Sequence, residues 1–218
     1  MKFLFIIFFV ITVSSTAQSK DYWRTFYNSD ESLLGFKDLK DSVIFDTIFT
    51  VFSTAKKVEN IVAVIEKTGD TSYLAYHITR DKRRIGIDSV YFYDNAADCE
   101  NEGFIRFHNK KTDKLGLLNR HGKVVVPAEY DYLSISMNGY LVALKGAEKV
   151  YDKEHKHSGC NHYQMVGGTT YLIDTNNRVV VKDFDSQKKL SFHSAKYSET
   201  PSNDSTIVCF QRYENRAF

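Results

Sequence analysis

Residues 114–132 read Lys-Leu-Gly-Leu-Leu-Asn-Arg-His-Gly-Lys-Val-Val-Val-Pro-Ala-Glu-Tyr-Asp-Tyr, and this stretch constrains the fold more than any other. Leu115 to Asn119 is a short apolar run. His121-Gly122-Lys123 supplies a turn in which Gly122 is free to take positive φ. Val124-Val125-Val126 is β-branched and suits a pleated sheet. Pro127 has no N–H to give, so the pairing has to loosen or end there. The stretch is therefore strand, turn, strand.

Variations on this unit run along the chain. Gly35 to Phe45 parallels Gly116 to Val126 position for position, with Asp41 where Gly122 stands. Strands are expected at Ile61 to Ile65, Tyr73 to Ile78, Ser89 to Tyr93 and Gly103 to Phe107. Asn138-Gly139 followed by an apolar run mirrors Gly103, and Tyr171 to Val181 repeats the strand–turn–strand. The turn positions Asp41, Lys82, Gly122 and Asn177 are 41, 40 and 55 residues apart. A period near 40 points to stacked supersecondary units. Asp, Gly and Asn tolerate a left-handed backbone, whereas Lys82 does not fit that preference. The longer last interval places an insertion, residues 146–168, between Lys145 and Thr170.

Glu102-Gly103-Phe104, Lys114-Leu115-Gly116-Leu117, Gly122-Lys123-Val124-Val125-Val126-Pro127 and Tyr130-Asp131 resemble the WG-containing repeat family, and more closely its exported bacterial members. The resemblance spans about Leu34 to Asp185. Leu115 stands where the family has its naming aromatic, and Asn138-Gly139 replaces a second Glu-Gly. It implies an all-β fold of about four stacked β-meander or hairpin units. It brings no catalytic or cofactor-binding residue with it.

The N-terminus carries its own signal. Lys2 is followed by the unbroken apolar run Phe3 to Val13 and by small residues at Ser15-Thr16-Ala17. This reads as a secretory signal peptide over 1–17, with secretion or a periplasmic location and no transmembrane anchor once it is cleaved. Residues 18–33 form a lead-in, 34–189 the repeat domain, and 190–218 a capping segment with strands at Ser191–Tyr197 and Thr206–Phe210. In the lead-in, Ser19 and the spacing of Tyr22, Trp23, Phe26 and Tyr27 allow one short helix over Ser19–Tyr27. Lys+Arg at 29 against Asp+Glu at 27 is close to neutral, which argues against nucleic acid as a partner.

The residues that bear chemistry are few. The insertion holds His155, His157, Cys160 and His162, the donor types a tetrahedral zinc prefers, although structural sites usually bring two separated pairs. In an oxidising compartment a Cys99–Cys160 disulfide is the competing reading, with Cys209 a buried thiol in an apolar run. The acid pairs Asp98/Glu100 and Asp183/Asp185 read as solvated loop charges, and Tyr91, Phe92, Tyr93, Tyr130 and Tyr132 as packing between units. No nucleophile elbow, zinc-protease helix or phosphate loop occurs. The pattern points to a non-catalytic module binding a protein or glycan at the cell envelope. A metal-binding protein or metal-dependent hydrolase built on the histidine cluster is the alternative.

Overall fold

The computed structural model describes residues 21–53, 55–93, 96–151 and 163–184. Among them there are only strands, turns and loops. The first sheet holds β1 (Trp23–Tyr27), β2 (Leu33–Lys37), β3 (Val43–Thr50), β4 (Lys57–Val58), β5 (Ile61–Lys67), β6 (Tyr73–Thr79) and β7 (Arg84–Ile85), in the order β4-β1-β2-β3-β5-β6-β7. A two-stranded ladder, β8 (Phe92–Tyr93) with β9 (Ala96–Ala97), leads to a second sheet of β10 (Phe104–Asn109), β11 (Lys114–Asn119) and β12 (Val124–Tyr130). The third sheet runs β13 (Tyr132–Leu133), β14 (Tyr140–Tyr151), β15 (Tyr163–Asp174) and β16 (Val179–Lys182). Every pairing is antiparallel, and all but two join strands that follow one another in the chain, the exceptions being β1 with β4 and β3 with β5.

Where the sequence allowed a short helix, Trp23–Tyr27 is a strand. Trp23 and Arg24 pair with Val58 and Lys57, and Arg24–Tyr27 pair with Leu34–Lys37. A helix of nine residues is marginal in water, whereas the sheet offers ladder bonds on both sides of the segment. Its Trp23 sinks into a core with Phe36, Phe49, Val62, Val64 and Tyr76. Ser19, the signal peptide, the capping segment and the histidine cluster lie outside the described residues.

Four hairpins close with the same turn. In each, the first residue's N–H donates to the carbonyl four residues on, and the fourth residue's N–H donates back to the first: Asp38/Ser42, Thr79/Arg83, Asn119/Lys123 and Asp174/Arg178. The fourth residues are Asp41, Lys82, Gly122 and Asn177, all at positive φ between 64° and 72°. Asp38, Asn119 and Asp174 also accept two backbone N–H groups across their own turns. At Lys82 the local support is different: Thr79 Oγ1 bonds Asp81, and Asp81 holds Arg83 at 2.6 Å. That bracing explains why a lysine occupies a left-handed position it does not favour. Glu102-Gly103 and Asn138-Gly139 form a second matched pair of tight turns, with positive φ at both residues of each.

Successive sheets share cores. In β5, alternation sends Val62 and Val64 into the Trp23 core and Ile61 and Ala63 into a second core with Val90, Ile105 and Leu118. In β11, Leu115 and Leu117 face a third core with Val126, Leu133, Leu141 and Ile173. A strand covered on both faces reads as a continuous apolar run, which is what Ile61–Ile65 and Leu115–Leu118 are.

Candidate functional site

β14 and β15 stay in register from Tyr140/Asp174 out to Tyr151/Tyr163, well past their neighbours. β13 flanks β14 only as far as Leu144, and β16 flanks β15 only from Tyr171. Residues 145–151 and 163–169 therefore form a two-stranded ribbon, and none of them is buried. The ribbon is pinched at its base. A Cβ on Gly168 would stand 2.8 Å from Ala147 N and 2.9 Å from Lys145 O, so only glycine fits there.

Charges tie one side of the ribbon to the second sheet. Asp131 accepts from Ala147 N at 2.9 Å and pairs with Lys114. Burial of Asp131 works against ionisation, but Lys114 and the Ala147 N–H outweigh it and hold the carboxyl below its ordinary range. Lys145 meets Glu129 at 2.6 Å, and Lys149 meets Asp113 at 2.7 Å. Asp113 also receives His108 Nε2 at 2.8 Å. Tyr130, buried below, donates its hydroxyl to Asn177 Oδ1 at 2.7 Å.

Tyrosines gather on this side. Tyr151 and Tyr163 pack edge to face, 5.6 Å between centroids, and Lys149 Nζ sits 4.8 Å from the centre of the Tyr163 ring. The Arg106 guanidinium lies 4.8 Å from the Tyr91 centroid and 6.0 Å from that of Tyr93. Burial pushes the Tyr91 hydroxyl up; Arg106 opposes this, while Tyr163, Asp98 and Tyr93 add to it, so these groups lie within electrostatic reach of one another. Tyr93, Tyr151 and Tyr163 keep 42%, 47% and 47% of their surface in solvent.

Behind the rings stands a buried ion pair. Arg106 Nη2 and Nε reach the two oxygens of Asp98 at 2.6 and 3.0 Å, and Arg106 Nη1 donates to Leu133 O at 2.9 Å. Desolvation works against the charge on Arg106, but Asp98 more than offsets it and the guanidinium stays protonated. The bidentate geometry fixes the guanidinium plane, and with it the rings of Tyr91 and Tyr93.

Two sequence readings are overturned here. Asp98 and Glu100 are not solvated loop charges. Asp98 is buried against Arg106, and Glu100 accepts from Asn60 N and Ile61 N at 2.9 and 3.0 Å. Nor are Phe92 and Tyr93 packed between units, since both are exposed. The signal in the sequence was a lone arginine inside the apolar strand Ile105-Arg106-Phe107 next to an aromatic triplet. His155, His157, Cys160 and His162 lie outside the described residues, as does Cys209, and Cys99 is exposed. Among the described residues no group of three or more His, Cys, Asp or Glu side chains is arranged to hold a metal ion. No family model, curated protein or solved structure matches the chain.

Proposed function

We propose that the protein is an exported, non-catalytic binding module that engages a partner at the cell envelope through the ribbon and the tyrosines beside it. The observation that carries this reading is the half-exposed set Tyr93, Tyr151 and Tyr163, with Arg106 beside Tyr93, Lys149 over Tyr163 and Tyr151 packed on Tyr163. Tyrosine offers a large amphipathic contact with few rotamers to freeze, and Tyr and Arg dominate the energetics of protein interfaces. Lys149, Asp113 and His108 add the polar rim that fixes orientation. A protein surface fits this combination best, and a glycan is the other outcome of the test.

The test is a quantitative pull-down from the host's envelope fraction, comparing the mature protein with Tyr151→Ser/Tyr163→Ser. The reading expects a discrete bound species that the double variant loses at least tenfold, with near-UV circular dichroism and Tm almost unchanged. Retention of the same species by the variant contradicts it.

A further inference from the structure

A cleft of about 770 Å³ opens where the first sheet meets the segment leading into the second. Each of its four acidic wall residues is already tied down, Asp21 and Glu59 by cations, Glu100 and Glu102 by neutral N–H and O–H donors that leave their charge in place. Asp21 meets Arg80 at 2.8 Å, and Glu59 meets Lys57 at 2.7 Å. Glu100 accepts from Asn60 N and Ile61 N, and Glu102 from Ser136 Oγ, Asn138 N and Gly139 N at 2.6–3.0 Å. These bonds reach across the chain by up to 40 residues, so they fix the shape of the wall. The amide nitrogens of Asn60 and Asn101 are also committed, to Glu100 and to Ser136 O.

Two cations on the wall are not engaged. Among the described residues neither the Lys56 ammonium nor the Arg120 guanidinium has a hydrogen-bond or ion-pair partner. Arg120 lies along Gly103, where a Cβ would stand 3.2 Å from Nη2 and 3.3 Å from Nε. The bare backbone of Gly103 gives the guanidinium its room beside the cleft. Among the described residues no donor reaches the carboxamide oxygens of Asn60 and Asn101, which suit hydroxyl donors.

We infer that this cleft is a binding site for a small, hydroxyl-rich anion, its acidic group held by Lys56 and Arg120 and its hydroxyls by Asn60 and Asn101. The volume falls in the roughly 300–1,000 Å³ range of small-molecule sites. A sugar acid and a sugar phosphate share the required chemistry. The site stands apart from the ribbon surface and does not depend on it.

The experiment is isothermal titration of the full mature chain at low ionic strength with sodium glucuronate, glucose 6-phosphate and glucose. Glucuronate, glucose 6-phosphate or both should bind, glucose should not, and added salt should weaken the binding. Which anion binds decides between the carboxylate and phosphate sources. Lys56→Gln/Arg120→Gln should reduce the affinity about tenfold or more, since it removes two charge-assisted bonds. The control Lys40→Gln/Lys111→Gln removes the same charge elsewhere and should leave affinity unchanged. Hydrogen exchange on the wild type, with the bound anion, should show protection at residues 60 and 101–103, independent of any variant's folding. Failure of both anions to bind, binding no tighter than that of glucose, or equal binding by the Lys56/Arg120 variant overturns the inference.

Discussion

Gly116 and Gly35 sit where a neighbouring strand crosses too closely for any side chain. A Cβ on Gly116 would meet Phe107 Cε1 at 2.5 Å and Val126 O at 2.7 Å; one on Gly35 would meet Phe45 O at 2.6 Å. Both lie at shifts of register, between Leu115 and Leu117 and between Leu34 and Phe36. Gly116→Ala should therefore cost about 1–3 kcal/mol, read as a lower urea midpoint at unchanged slope. At the same scale, His77 is fully buried and neither ring nitrogen has a hydrogen-bond partner. Burial lowers its pKa from 6.5 to about 4, against the opposing pull of Asp98 and the Arg106 backbone. The unfolded chain then binds a proton that the folded one refuses. Stability is fully present above about pH 6.5 and falls as the pH drops toward 4, by up to about 3 kcal/mol. His77→Leu should flatten this pH dependence between pH 6.5 and 4.5, measured as Tm against pH beside the wild type.

Among the elements, the buried Asp98–Arg106 pair is the support on which Tyr91 and Tyr93 rest. Arg106→Met strands a buried carboxylate and should cost about 3–5 kcal/mol, whereas Asp98→Leu/Arg106→Met should recover most of that loss in a thermal melt. The hairpin turns were legible in the sequence because their chemistry is local: Asp41, Gly122 and Asn177 tolerate positive φ, and the Asx residues three positions earlier cap their own turns. The turn at Lys82 was legible only from its spacing, because what lets a lysine sit there is Thr79, Asp81 and Arg83 acting together. The strand at Trp23–Tyr27 was hidden for another reason. Its partners lie at Leu34–Lys37 and Lys57–Val58, and aromatic spacing alone fits helix and strand alike over so few residues. The tyrosine surface was illegible because it joins residues 91–93, 106, 149–151 and 163 through contacts no local pattern encodes.

On the scale of the whole molecule, the sheets are not independent, because β5 and β11 each lie between two cores. The described residues should then unfold together. Trp23 fluorescence, which reports the first sheet, and far-UV circular dichroism, which reports all three, should give coincident urea transitions. The sequence pointed to stacking through its period near 40; the continuous apolar runs Ile61–Ile65 and Leu115–Leu118 are a second mark of it, since a strand with one wet face would alternate. Sheets joined by shared cores, with one ribbon running past its flanking strands, are the arrangement on which the binding account rests. Its most direct test is site-specific photo-crosslinking in the native host, with a photoreactive residue at Tyr163 on the ribbon and, as the control, at the somewhat more exposed Val43 on the first sheet. The account predicts one discrete adduct from Tyr163 and none from Val43. Equal adducts from both positions, or none from Tyr163, would contradict it.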